Sequence, residues 1–358
     1  MSIPIQNIYY MLGYAWNTLE QNEKVDVSQL ESHEMVDLLA SVLSTGTSAL
    51  LRRGLDRSYQ EYTDELTTIR GRVNLGESAR SGKLKRARAI CSFDELSFDV
   101  LHNQIIKSSI MRLVKVPNLD RNLKLNLIRL CRRMHGVSEI PLTIQLFGKL
   151  QLHRNNAFYR FLLNICRLVV ECVLIDERTG EYVFVDFLRD EKRMAVLFEK
   201  FVLNFYAQEQ SEYKPKAEMI KWDAFAQAKH DADMAFLPGM KTDITLRSSL
   251  RTIVIDTKYY KETLTRGRFG AFKVNSGNLY QLFAYLSNME KSDNFNDACA
   301  EGILLYPDTT GCVDLAYKIK GHDVRIRTIN LAQHWNGIKK DLLKMLLHGK
   351  CQASFSRP

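Results

Sequence analysis

The stretch Thr242–Lys258, TDITLRSSLRTIVIDTK, decides how the second half of this chain folds. It reads as part of two short strands, KTDITLR and RTIVIDTKYY, joined by a turn at Ser248-Ser249. Val, Ile and Thr dominate both, and the unbroken apolar run Ile253-Val254-Ile255 is that of a strand covered on both faces. Strand side chains alternate, so Asp256 and Lys258 share one face and Thr257 takes the other. Hairpin pairing brings Asp243 alongside them. Two carboxylates and an ammonium then converge at the open end of a sheet.

Such a trio suits Mg²⁺, a hard cation that takes one or two carboxylates and completes its shell with water and phosphate oxygens. A lysine two residues beyond the second acid can orient water, act as its base if its pKa is depressed, or stabilise developing charge. The tripeptide alone says little, because Asp190-Glu191-Lys192 and Glu212-Tyr213-Lys214 repeat it. Only the copy at Asp256 follows a buried strand with another acid on the strand before. A salt bridge at a strand end is the competing reading.

Beyond a basic loop, Lys261 to Lys273, comes a helix, NSGNLYQLFAYLSNM. Leu279, Leu282, Phe283 and Leu286 form its apolar stripe, and Gln281 and Tyr285, four apart, share a face beside it. The order Asp…Asp-x-Lys…Gln-x-x-x-Tyr resembles the PD-(D/E)xK nuclease superfamily in its RecB-like branch, with Thr242 where the motif's name has proline. The resemblance implies that Asp243 and Asp256 hold Mg²⁺, that Lys258 serves catalysis, and that Gln281 and Tyr285 support the site and the DNA. It also implies an upstream helical acid in the metal shell. Glu199, beside the stripe Met194, Leu197, Phe198, Phe201 and Val202, is the candidate, with a surface ion pair as its alternative. Asp231 and Asp233 read as substrate-side acids or as turn residues.

The first half is richer in helices: residues 3–19, 34–57, 101–114 and 123–134. Residues 68–75 and 87–93 suggest two strands joined across the basic cluster Arg80, Lys83, Lys85, Arg86 and Arg88, with Gly71 permitting a bulge or close approach. The expected class is α+β, or mixed α/β. A helical N-terminal domain with a protruding β-hairpin (1–153) precedes a nuclease domain (154–358) whose central mixed sheet is flanked by helices. Residues 156–174 form a helix that is either a linker or the first nuclease helix. A buried strand GILLYP (302–307), a hairpin over 315–329 turning near Gly321-His322, and a helix over 332–347 complete the pattern.

At 358 residues, with 46% hydrophobic and 25% charged, the composition is that of a globular chain with room for two cores. A net charge of +9 suits a polyanionic partner. No apolar run approaches the roughly eighteen residues of a membrane span, and the N-terminus lacks a signal peptide's basic flank. Seven scattered cysteines without a C-x-x-C pair suggest a reducing cytoplasm, with neither disulfides nor zinc. There is no P-loop motif to bind nucleotide and no helix-turn-helix or zinc module to read bases.

Two N-terminal stretches, Pro4-x-x-Asn7-Ile8-Tyr9-Tyr10-Met11-Leu12-x-Tyr14-Ala15-Trp16 and Phe93-Asp94-x-Leu96…Asn103-x-Ile105-Ile106-Lys107, resemble the McrC family, the nuclease subunits of McrBC modified-cytosine restriction systems. The agreement continues through Lys221-Trp222-Asp223-Ala224, Thr242 to Thr245, Asp256 to Lys261 and Asn278 to Leu282. This resemblance implies Mg²⁺-dependent cleavage of double-stranded DNA bearing modified cytosine. It implies a McrB-like AAA+ GTPase hexamer as partner, with GTP bound there and not by this chain. It also implies an N-terminal half that engages the ring and stimulates its hydrolysis. Two other readings stay open: a non-catalytic adaptor of an AAA+ ring, and a stand-alone repair nuclease.

Overall fold

The computed structural model describes residues 3–22, 34–152, 156–176, 178–224, 235–260, 265–266, 272–290, 294–308 and 312–347. Two compact units result: residues 29–185 form one, and residues 1–28 together with 186–358 form the other.

In the unit 29–185, the helices Met35–Arg53, Leu101–Val114, Arg121–Arg133 and Ala157–Cys172 pack on one another. Leu38, Leu39, Leu43, Ile106, Ile110, Phe161, Leu162 and Ile165 are all sealed from solvent there. Asp120 caps its helix, accepting from the N–H groups of Asn122 and Leu123 at 2.9 Å each. Ala157–Cys172 therefore lies wholly within the unit 29–185. Its apolar stripe is spent in this core, and the compact unit runs on past the expected boundary at 153/154 to residue 185.

The expected hairpin is a three-stranded antiparallel sheet in which Ala89–Ser97 lies between Ser58–Leu66 and Arg72–Val73. The long partner is Ser58–Leu66, in register from Ser58↔Ser97 to Leu66↔Ala89, whereas residues 68–75 contribute only the short strand Arg72–Val73. Ser58–Leu66 has no alternation to reveal it, because most of its side chains are exposed. Within the basic cluster, Lys83 and Arg88 pair with Glu65 across the sheet.

The other unit is built on a six-stranded mixed sheet. Its strands lie in the order Asp314–Ile319, His322–Ile329, Glu301–Pro307, Thr252–Thr257, Ile244–Arg247, Lys214–Lys216. The central strand Thr252–Thr257 is buried at every position, as its apolar run requires. It runs parallel to Glu301–Pro307 and antiparallel to Ile244–Arg247. The helix Ser276–Met289 covers one face through Leu282, Tyr285, Leu286 and Met289, packed on Val254, Leu304 and Tyr306. Gly302 sets that distance: a Cβ there would stand 2.9 Å from the side chains of Leu282 and Leu286. The helix Glu191–Glu209 contacts the central strand and packs against Ile5–Ala15, whose Asn7 donates to the carbonyls of Leu331 and Gln333 at 2.8 Å each. Among the described residues, no helix is long and apolar enough to cross a membrane.

Candidate active site

Register carries the two acids to one place. Ile255 pairs with Ile244, so one step further the ladder sets Asp256 opposite Asp243. The ladder does not continue, because Met240–Lys241 has changed partner to Met219–Ile220, and Thr242 N–H donates to Glu218 O at 2.9 Å. Asp243 stands at this break. Its Oδ2 accepts from Thr257 N–H at 2.7 Å and from Thr257 Oγ1 at 2.8 Å.

Asp256 is treated quite differently. Its side chain is 0% exposed and neither oxygen accepts a well-formed hydrogen bond, although Lys258 Nζ stands 2.8 Å from Oδ2. The contact is an ion pair without good hydrogen-bond direction. Burial pushes the Asp256 carboxyl up to about 6, against the pull of Lys258, and the charges of Asp243 and Glu199 raise it further. Burial alone would lower the Lys258 ammonium, but Asp256 and Asp243 more than offset this, and its pKa is raised. Lys258 is thus a charged donor in this site.

From Lys258 a chain of hydrogen bonds crosses to the covering helix. Lys258 Nζ donates to Gln281 Oε1 at 3.1 Å, Gln281 Nε2 donates to Tyr285 OH at 2.7 Å, and Tyr285 OH donates to Lys241 O at 2.9 Å. The four-residue spacing of Gln281 and Tyr285 makes this possible. The chain ends on the backbone two residues before Asp243, so helix, lysine and the break in the ladder are held together. Tyr285 lies inside the buried stripe, not beside it.

Glu199 is half-buried. Burial raises its carboxyl, and the charge of Asp243 adds to this. It therefore feels the same site, yet among the described residues no group of three His, Cys, Asp or Glu side chains could hold a metal ion. The buried carboxylate of Asp256, which makes no well-formed hydrogen bond, beside Asp243 does fit a hard cation that takes only two acidic ligands. Asp231 and Asp233 lie outside the described residues, as does most of the basic loop, of which only the paired strands Thr265–Arg266 and Phe272–Lys273 are described. Thr257 was hidden from sequence reasoning because alternation assigns it to the opposite face. Asn278, whose Nδ2 donates to Tyr306 OH at 3.0 Å within this helix face, lay in the family-like run Asn278 to Leu282 but had no role in the site assigned to it.

Comparison with known proteins then decides the family. Residues 5–307 match the family described as McrBC 5-methylcytosine restriction system component. The chain belongs to this family. As a McrBC component it is 36% identical over 341 residues to the type IV methyl-directed restriction enzyme EcoKMcrBC of Escherichia coli K12, spanning 95% of this chain and 96% of that protein. It also resembles a chain in the refined half-complex from the tetradecameric assembly of Thermococcus gammatolerans McrB AAA+ hexamers with bound McrC. The TM-score is 0.59 at 16% identity, covering 96% of this chain and 76% of the other. That likeness concerns the fold.

Proposed function

We propose that this chain is the DNA-cleaving subunit of a GTP-dependent, modified-cytosine-specific restriction endonuclease. The observation that carries the proposal is Asp256: a fully buried carboxylate beside a second carboxylate, whose one near donor is the Lys258 ammonium at 2.8 Å, without good hydrogen-bond direction. A structural acid would be given donors or kept in water. Asp243 and Asp256 would hold Mg²⁺, and Glu199 is placed to act on that ion through charge. When bound, such an ion lowers the pKa of water and neutralises charge on a phosphodiester. Lys258, held as an ammonium, donates a proton-bearing, positive group toward the developing phosphate charge. Gln281 fixes its direction, and Tyr285 fixes Gln281.

The partner in this reading is a McrB-like AAA+ GTPase hexamer, the kind of assembly named for the Thermococcus gammatolerans structure. GTP belongs to that partner, since this sequence holds no P-loop motif. The N-terminal half would engage the ring and stimulate its hydrolysis.

The test is cleavage of a cytosine-methylated plasmid in Mg²⁺ by wild type and Asp256→Ala, each alone and with the cognate GTPase plus GTP. Only the wild-type complex should cut. Asp256→Ala should lose more than the ~10–100-fold typical of an outer-shell change, while GTPase stimulation survives. Equal cutting by the mutant complex would make the chain an adaptor. Cutting by wild type without GTPase or GTP would instead identify a stand-alone nuclease.

A further inference from the structure

The residue between the second acid and the lysine has a task of its own. Lys258 N–H donates to Leu305 O at 2.9 Å on the parallel neighbour. Backbone donors alternate in direction along a strand, so Thr257 N–H points the other way, toward the strand that carries Asp243. In an unbroken ladder its acceptor would be Thr242. Thr242, however, has turned away: its N–H goes to Glu218 O and its Oγ1 meets Thr245 Oγ1 at 2.9 Å. The orphaned N–H of Thr257 is satisfied by Asp243 Oδ2, and the Thr257 hydroxyl adds a second donor to the same oxygen. Thr257 is only 8% exposed, so neither bond competes with much water.

We propose that Thr257 is a positioning residue for the cation site: its two donors tie Oδ2 of Asp243 and leave Oδ1 as the oxygen offered to a divalent ion. The proposal rests on the reading of Asp243 and Asp256 as the metal-holding pair. Charge-assisted bonds from two donors to one carboxylate oxygen fix the rotation of the group as well as its place. Such a bond survives in Thr257→Ser and is removed in Thr257→Val, which keeps the shape and the backbone donor. Hydroxyl loss then frees the carboxylate to rotate and to spread both oxygens over competing orientations.

The experiment measures Mn²⁺ binding to the full chain by electron paramagnetic resonance for wild type, Thr257→Val, Thr257→Ser and Asp256→Ala. In parallel, the Mg²⁺ concentration for half-maximal cleavage is taken from the complete complex with GTP. Thr257→Val should weaken Mn²⁺ binding about tenfold, the scale of an outer-shell partner, and raise the Mg²⁺ requirement by a similar factor. Its stimulation of the GTPase should be unchanged. Thr257→Ser should return both metal readouts to within about twofold of wild type. Wild-type metal dependence in Thr257→Val, with Asp256→Ala inactive, would overturn the role of Thr257 and leave the site standing. Undiminished Mn²⁺ binding and cleavage in Asp256→Ala would overturn the site itself. If Thr257→Val folds poorly, Thr257→Ala set against Thr257→Ser makes the same comparison. If free-chain binding is too weak to measure, the Mg²⁺ titration of the complex decides alone.

Discussion

Burial takes both oxygens of Asp256 out of water, and the sheet offers them no donor. A carboxyl held at about 6 in the folded chain, against an ordinary value near 4, binds its proton more tightly folded than unfolded. Stability therefore falls as pH rises through the window from about 4 to about 6, and the ionised acid is a standing cost at neutral pH. Asp256→Asn removes the charge and keeps the shape, but takes from Lys258 its ion-pair partner. In metal-free buffer at pH 7.5 the variant should gain on the order of 1–2 kcal/mol by chemical denaturation. The gain should vanish near pH 4, where folded Asp256 is already neutral. A loss of stability at pH 7.5 would show that the Lys258 pairing outweighs desolvation. The raised value has a functional counterpart, because a cation must compete with the proton as pH falls through about 6.

Elements in this chain are placed by close approaches that local pattern only hints at. Gly71 has φ +67°, and a Cβ there would stand 2.4 Å from Ser92 O and 2.8 Å from the Phe93 side chain. Backbone cannot yield as a flexible side chain can. Gly71→Ala should therefore cost at least about 2 kcal/mol, adding left-handed strain to overpacking. Gly76→Ala, in the helix Leu75–Arg80 with open space around its Cβ, should be neutral or gain up to about 1 kcal/mol. Denaturant midpoints of the two variants check this, and equal values would refute it. The sequence had marked Gly71 as a place of bulge or close approach. What it could not supply was the neighbour, since the long partner strand Ser58–Leu66 shows no alternation of its own.

On the scale of the whole molecule, the first helix belongs to the C-terminal unit. Ile5, Ile8, Tyr9, Met11, Leu12 and Tyr14 are each 3% exposed or less. Tyr14 packs on Phe201, Phe205 and Trp335, and its hydroxyl bonds Glu209. At about 1.5–3 kcal/mol for each fully buried large apolar side chain, the burial of these six is of the same order as the roughly 5–15 kcal/mol by which a domain is stable. A fragment of residues 186–358 should accordingly fail to fold, giving no near-ultraviolet circular dichroism and little amide protection. Adding residues 1–28 as a peptide should restore both. A cooperative unfolding transition in the fragment alone would contradict this.

The parts legible in sequence were those with short-range causes. The alternation of Asp256, Thr257 and Lys258, the hairpin that returns Asp243 to them, and the i, i+4 pair Gln281 and Tyr285 all follow from strand and helix periods. The last hairpin, read as turning near Gly321-His322, turns one residue earlier, at Lys320 and Gly321, which both take positive φ, and His322 already belongs to the strand. Periodicity records which face of an element is apolar, but not which surface that face will meet. Only the tertiary structure set Ala157–Cys172 among the N-terminal helices and Ile5–Ala15 against the helix Glu191–Glu209 of the C-terminal unit. Only the tertiary structure turned Thr242 from one strand to another, and so gave Asp243 its hold on Thr257. These are long-range choices of partner, decided by how buried surfaces and backbone donors are satisfied together.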